Sequence, residues 1–262
     1  MILGLWLDQP LWLMFGTVAL LFGAVSALLC ALTWAAPTRP LMQWLGTGLV
    51  PTYFTAISML LALMTGFVAN DAWERQRQAA KVVQTERANA LAIRDLSLAT
   101  VSDMAPIRKA LSDYLEGVVG DEWARMREGA SSPAAGAALG RLLQTVSDPR
   151  IGTEGGAAAH AALLDAAMAL RAARGERLAL SDAQGDETKW LTLLVLAGLT
   201  LVAIALVHLD RPGAQATALT LFSVAVVTTL GLIAVHERPF DGPLALSPEP
   251  LRIARAGIPP QP

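Results

Sequence analysis

Uncharged apolar residues fall in four long runs that polar stretches separate. The runs contain no Asp, Glu, Lys or Arg and cover residues 11–34, 43–69, 190–208 and 214–236. Each run can cross a bilayer core of roughly 30 Å, for which about 20 helical residues suffice. None of them alternates apolar and polar residues as a membrane β-strand does. The pattern therefore predicts four transmembrane helices.

Composition and charge agree with a membrane protein. Hydrophobic residues make up 54% of the 262 residues and charged residues only 16%, whereas about a quarter of a soluble domain is charged. The net charge is -2 and no basic face stands out, so we expect no nucleic-acid partner. The single cysteine, Cys30, lies within the first run and predicts no intrachain disulfide.

The runs divide the chain into two hairpins with a polar region between them. Residues 1–70 are predicted to form the first transmembrane hairpin and residues 190–236 the second. Residues 71–189 form the middle region, and residues 237–262 form a C-terminal tail. Because each pair of spans is a hairpin, both termini and the middle region are expected on the same side of the membrane.

Lysine and arginine residues indicate which side that is. They are frequent after the second and fourth runs and before the third, whereas each short hairpin connection carries one, Arg39 or Arg211. Cytoplasmic loops carry an excess of these residues. We therefore expect the termini and the middle region in the cytoplasm.

The middle region is predicted to be helical, which makes the fold class all-α. Residues 72–104 contain no Gly or Pro and are rich in helix-forming residues, and further helices are predicted at 137–146 and 157–174. The Gly-containing segment 147–156 is predicted to be a loop. No segment has the period of two that a sheet requires.

Two arginines of the long middle helix, Arg87 and Arg94, share a sector with apolar residues. One interpretation is an apolar stripe packed on neighbouring helices, with the arginine stems covering it or paired with acids. The other places both guanidinium groups around a cytosolic vestibule, where repetition in an oligomer concentrates anions.

No catalytic constellation is visible, so we predict no enzymatic activity, no cofactor and no metal site. His160, His208 and His236 are dispersed along the chain. The sequence contains no HExxH, paired-cysteine zinc pattern, Walker loop, GxGxxG or GxSxG.

The second run carries an unusual number of hydroxyl groups for a helix that only lipid surrounds. Its Thr and Ser side chains can bond to the preceding turn, so packing between helices explains them as well as pore lining does. Pro51 removes a backbone donor and is expected to kink or unwind the helix. Both interpretations remain open at this point.

Short motifs after the second and fourth runs are similar to those of a known family. Bacterial bestrophin channels end their second span in the pattern F-x-x-N-x-A-aromatic-acid-R, which is matched here by Phe67, Asn70, Ala72, Trp73, Glu74 and Arg75. The segment after the last span resembles their Pro-Phe-Gly segment in Pro239, Phe240 and Gly242, with Asp241 inserted. Residues 175–181 (GERLALS) and Trp190 also match features of a bacterial bestrophin-like membrane protein family of unassigned function, distantly similar to bestrophin anion channels.

This resemblance implies a homo-oligomer in the bacterial inner membrane, with the second span of each copy around a central axis. The expected partners are further copies of the chain, the lipid bilayer and small inorganic ions. Bestrophins narrow their pore with apolar side chains one helical turn apart. The implied pore-lining residues are Thr52, Thr55, Met59, Leu63, Phe67 and Asn70.

Two departures from the bestrophin pattern limit which bestrophin properties we expect in this chain. Val68 stands where bacterial bestrophins often have a basic residue, and Asp241 and Glu249 are too few to assemble a calcium site. We therefore expect no calcium requirement, and the sign of the permeant ion stays open.

The main functional hypothesis from the sequence is an ion channel. The alternative is a membrane-anchored ligand-binding, signalling or scaffold module that does not conduct.

Overall fold

The computed structural model of the protein describes residues 2–48, 51–99, 104–182 and 187–259. Every regular element in these ranges is helical, so the all-α prediction is confirmed. In chain order the α-helices are α1 (Ile2–Leu7), α2 (Leu11–Trp34), α3 (Arg39–Gly46), α4 (Pro51–Ala99), α5 (Ala105–Gly117), α6 (Trp123–Arg125), α7 (Pro133–Val146), α8 (Pro149–Gly155), α9 (Ala157–Asp182), α10 (Glu187–Val207), α11 (Pro212–Val235) and α12 (Glu249–Ala256). A π-helical turn, Val118–Glu122, lies between α5 and α6.

Four helical stretches are long and apolar enough to cross a membrane, as predicted. In the described ranges they are Leu11–Trp34, Phe54–Ala99, the third stretch with its apolar helix Glu187–Val207, and Pro212–Val235. The apolar part of the third stretch is α10, which carries no charged residue after Lys189. Lipid offers the backbone no hydrogen-bond partner, and a helix satisfies these groups within the segment.

The second apolar run is not one continuous helix. It begins within α3, which ends at Gly46, and Gly48 has a φ of 83°, a left-handed conformation that glycine adopts without strain. The next described helix, α4, begins at Pro51. Proline is well tolerated in the first turn of a helix because the amide there has no intrahelical acceptor. Pro51 therefore starts α4, and the interruption expected near it takes the form of a helix end at Gly46 and a turn at Gly48.

The first of two compact units comprises Met1–Glu74 and Gln184–Glu237. Its apolar core contains Met14 and Phe22 of α2 together with buried residues of α4, α10 and α11, among them Leu193 and Leu230. The helices α2 and α11 pack closely against each other, and α10 packs on both. This unit contains the strongly apolar segments of the chain.

One buried amide ties three helices of the first unit together. The side chain of Gln215 in α11 is fully buried. Its Oε1 accepts hydrogen bonds from Thr33 Oγ1 at 3.0 Å and Trp34 Nε1 at 2.8 Å, both at the end of α2. Its Nε2 donates to the carbonyl oxygen of Ala205 in α10 at 2.6 Å. A polar side chain buried among apolar helices is stabilised only when its groups are bonded, as they are here.

The second unit comprises Arg75–Ala183 and Arg238–Pro262. Its core is built from apolar residues of α4, α5, α7 and α9, such as Ile93, Leu111, Leu142 and Leu170. The long helix α4 therefore contributes its N-terminal portion to one unit and its C-terminal portion to the other.

The segment 147–156, which was predicted to be a loop, contains the short helix α8. The side chain of its N-cap residue, Asp148, accepts a hydrogen bond from the backbone amide of Arg150 at 3.0 Å.

Gly231 of α11 leaves no room for a side chain. A Cβ there would lie 2.7 Å from Cδ1 of Phe15 on α2 and nearer still to the far end of that ring. Since overpacking of a close contact costs about 1–3 kcal/mol, Gly231→Ala should lower the melting temperature of the purified protein in detergent by several degrees. Gly23→Ala on α2 is the control, because nothing lies within 4 Å of its Cβ position. Equal melting temperatures for the two variants would contradict this packing.

Candidate functional site

All six predicted pore-lining residues are exposed in the single chain. They are Thr52, Thr55, Met59, Leu63, Phe67 and Asn70. The apolar members are largely uncovered, with 74% of Met59, 54% of Leu63 and 58% of Phe67 exposed. At 100° per residue they occupy one sector of α4. The sequence thus places three hydroxyl- or amide-bearing residues and three apolar ones on one side of a membrane helix.

The opposite side of α4 is buried in the first unit. Leu61, Val68 and Ala72 are each less than 10% exposed and belong to the apolar core. Burial of this side fixes the rotation of α4 about its own axis. The exposed side is therefore available to lipid, to another copy of the chain or to water.

A groove lined largely by small residues runs beside the exposed side of α4. It encloses about 530 Å³, and Ser58, Ala62 and Gly66 line it from α4 at intervals of four residues. Ala197 of α10 and Thr229 of α11 line it from the other side. Small residues allow the backbone of another membrane helix to approach closely.

The residues of the second-span motif have different environments. Ala72 is 1% exposed, and the ring of Trp73 meets the ring of His236 edge to face at 6.3 Å. Glu74 is exposed and Arg75 is half-buried. At 100° per residue, Phe67, Asn70, Trp73 and Glu74 of this motif lie in the exposed sector described above, whereas Ala72 and Arg75 lie outside it.

The Pro-Phe-Gly motif is included in the core of the second unit. Phe240 is 3% exposed, and its ring meets the ring of Trp123 edge to face at 5.7 Å. Gly242 has a φ of 89°, which disfavours any residue with a Cβ. The amide of Leu246 donates to the carbonyl oxygen of Pro239 at 2.8 Å and closes the segment into a compact turn. These contacts give the motif a structural role.

Charged residues at this turn and in α12 form ion pairs. Arg238 Nη1 lies 3.2 Å from Asp241 Oδ2, and Arg252 Nη1 lies 2.6 Å from Glu249 Oε2. Each acid of the tail that was considered as a calcium ligand thus has an arginine beside it. In the ranges that the structure describes, no group of three or more potential metal-ligating side chains comes together.

The two vestibule candidates lie in the second unit. Arg94 is 24% exposed, and its Nε donates to Oδ1 of Asp95 at 2.8 Å. Arg87 is half-buried, and its Nε has no acceptor in the described ranges of the chain. Pairing with an acid, one of the two sequence interpretations, is present for Arg94. Whether either arginine lines a vestibule remains a prediction.

A buried ion-pair cluster in the second unit was not predicted. Arg177, Glu86 and Glu122 are completely buried. Arg177 Nε lies 2.6 Å from Glu86 Oε2, and its Nη2 lies 2.8 Å from Glu122 Oε1. One guanidinium group therefore joins a carboxylate of α4 to one of the π-helical turn.

Further donors complete the cluster. The hydroxyl of Tyr114 donates to Glu86, and Arg174 Nε donates to Glu122 Oε1 at 3.1 Å. The backbone amide of Ser132 donates to Glu122 Oε2 at 3.1 Å. Buried charges are tolerated when opposite charges and hydrogen bonds surround them in this way.

The cluster shifts the titration of its members. Burial, followed by the charge of Glu86, raises the pKa of Tyr114 well above its usual range, so this residue stays a neutral donor. Burial alone would raise the pKa of Glu122, but hydrogen bonds and charge from Arg174 and Arg177 lower it overall. A lowered carboxyl pKa stabilises the fold above the unfolded pKa, and this contribution is lost as the pH falls through the folded value.

A sequence signal for one residue of this cluster was available. Arg177 is the arginine of the GERLALS segment, residues 175–181, that resembles the bestrophin-like family. Nothing comparable marks Glu86 or Glu122, because both lie among other charged residues.

A family model agrees with the motifs and with this architecture. The bestrophin-like domain model matches residues 14–251. The chain belongs to the bestrophin-like family. No curated protein sequence matches it significantly.

Solved structures of a bestrophin homologue share the fold. A crystal structure of the Klebsiella pneumoniae bestrophin homologue with a leucine-to-threonine mutation matches with a TM-score of 0.72 and 13% identity, over 93% of this chain and 97% of that chain. An aspartate-to-alanine variant matches with a TM-score of 0.71 and 15% identity, over 92% and 96%. The structure phased with zinc matches with a TM-score of 0.69 and 14% identity, over 92% and 94%. This bestrophin-like chain therefore has the bestrophin fold and is a membrane protein.

Replacement of Arg177 should destabilise the second unit strongly. In Arg177→Met two buried carboxylates lose their shared cation, and breaking a buried pair costs about 3–5 kcal/mol. The free energy of unfolding, followed by denaturant titration in detergent, should fall by that amount. Arg171→Met on the same helix removes an exposed arginine and should change it by less than about 0.5 kcal/mol. Similar losses in both variants would show that the buried pairs are not the cause.

Proposed function

We propose that this protein is a homo-oligomeric ion channel whose pore is lined by the exposed face of α4. The observation that carries the proposal is the coincidence of that face with the six residues that the family resemblance selects: Thr52, Thr55, Met59, Leu63, Phe67 and Asn70. Phe67 and Asn70 come from the family motif and the other four from extending its face along the helix, whereas their exposure comes from the packing of the other side of α4. Membership of the bestrophin-like family supports a channel-type function.

Self-association belongs to the proposal because one copy of α4 encloses no passage. The small-residue groove at Ser58, Ala62 and Gly66 supports it, since such surfaces let membrane helices pack closely. In the proposed assembly the exposed faces of α4 from several copies surround one axis. Met59, Leu63 and Phe67 are spaced four residues apart and form an apolar collar there.

The collar and the polar residues have different roles in this proposal. A narrow apolar constriction gates ions because water leaves it readily. Thr52 and Thr55 lie on one side of the collar along the helix, and their hydroxyl groups replace some of an ion's hydration shell. Asn70 lies beyond the other side of the collar and marks a mouth of the pore.

The proposed orientation places the second unit in the cytoplasm of a bacterial cell. The basic residues that flank the spans favour this side. In this arrangement the connection between α10 and α11, with Asp210, faces away from the cytoplasm. Small inorganic ions then move along their gradient without a cofactor.

Truncation of the collar should increase ion flux. Phe67→Ala removes the ring at one end of the collar and widens the dewetted segment, so flux through purified protein in liposomes should rise several-fold. Leu221→Ala on α11 is the control, because it shortens a side chain that is 67% exposed on another membrane helix. If the Phe67→Ala variant conducts with unchanged flux, Phe67 is not part of the constriction. Absence of conductance for both potassium and chloride in the unmodified protein refutes the channel and favours a membrane-anchored binding or signalling module.

The orientation is tested with introduced cysteines. In a Cys30→Ser background, Thr153→Cys carries an exposed thiol in the second unit and Asp210→Cys one in the α10–α11 connection. A membrane-impermeant maleimide added to cells whose inner membrane is intact should label the Asp210→Cys variant and leave the Thr153→Cys variant unlabelled until permeabilisation. The reverse pattern would place the second unit outside the cytoplasm, as expected for a sensor.

A further inference from the structure

An ion pair joins α4 to α10 next to the proposed mouth. Lys189 Nζ lies 2.5 Å from Asp71 Oδ2. Both side chains are accessible to solvent, with 41% of Lys189 and 46% of Asp71 exposed. Both residues belong to the first unit.

The position of Asp71 on α4 ties this pair to the proposed pore. Asp71 follows Asn70 directly and lies four residues after Phe67. Residues four apart on a helix are neighbours about one turn apart along the axis. Along the helix axis the carboxylate therefore lies just beyond the end of the apolar collar, about 40° around the helix from Phe67, and Lys189 brings a positive charge beside it from another helix.

We propose that Lys189 is a selectivity-determining residue of this channel, because it neutralises Asp71 at the mouth. The inference rests on the proposed function and names a residue that is not on the pore helix. With Lys189 in place, the Asp71 carboxylate contributes little to the local potential. Without it, the net charge one turn from Phe67 becomes more negative by one in every copy.

The consequence of this pair is expected in ion selectivity and not in stability. Exposed ion pairs contribute little to the free energy of folding, because water screens both charges and two flexible side chains are immobilised. At low ionic strength a unit charge several ångströms from an ion in water still changes the local ion concentration about twofold to threefold. In a cyclic assembly this effect is repeated in every copy and adds up at the axis.

The pairing is invisible in the sequence. Lys189 and Asp71 are 118 residues apart, and each lies at the charged end of an apolar run, where an unpaired surface residue is equally expected. Only the packing of α4 beside α10 brings them together.

The test measures the permeability ratio of potassium to chloride from reversal potentials of the full-length protein in planar bilayers. In Lys189→Gln this ratio should rise about threefold or more. In Asp71→Asn it should fall, because each copy then carries one negative charge less beside the mouth. The double variant Asp71→Asn/Lys189→Gln should return close to the unmodified ratio, since the two changes in charge cancel.

The control is Lys109→Gln, which removes the same charge from an exposed pair with Asp113 on α5. It should leave the ratio unchanged. A conducting Lys189→Gln protein with the unmodified ratio overturns the inference while the proposed function stands. If Lys189→Gln fails to assemble, the Asp71→Asn variant provides the test. An unchanged permeability ratio in Asp71→Asn would also overturn the inference. Absence of conductance in the unmodified protein refutes the proposed function and this inference with it.

Discussion

Lipid cannot accept or donate hydrogen bonds, and this constraint governs the first unit of the protein. Peptide groups there must be satisfied within each segment, which requires helices. The same constraint applies to side chains. Gln215 uses both ends of its amide to bond α2 and α10, and the hydroxyl groups of Ser26 and Ser223 lie 3.0 Å apart between α2 and α11. At these two places polar side chains connect neighbouring helices.

In the second unit, the buried polar groups that need partners are charged side chains. Arg177 is enclosed between Glu86 and Glu122, and Tyr114 and Arg174 supply the remaining donors. Such a cluster is weak evidence for added stability, because charges lose hydration when they are buried. It does demand one arrangement of α4, α5 and α9, since any other would leave a buried charge without a partner.

These two requirements meet on α4, which contributes to both units. Apolar packing buries one side of its N-terminal portion, and the other side carries the residues that we propose line a pore. In its C-terminal portion Glu86 is held by the ion-pair cluster of the second unit. The rotation of the helix is thus set by packing at Leu61, Val68 and Ala72 and by charge at Glu86. The exposed face of α4 is the side that does not take part in these contacts.

Much of the architecture was readable from the sequence, because charge-free runs of about 20 residues have few alternatives in a membrane. An interruption was expected at Pro51, but the end of α3 at Gly46 and the turn at Gly48 were not located, since a run of uncharged residues gives little sign of where one helix ends. The family motifs were also correctly located, but Phe240 proved to be a core residue packed on Trp123. Contacts between distant residues, such as Arg177 with Glu86 or Lys189 with Asp71, required the tertiary structure. Hydrophobic periodicity records which face of a helix avoids water, whereas the partner of a charged side chain depends on which helices become neighbours.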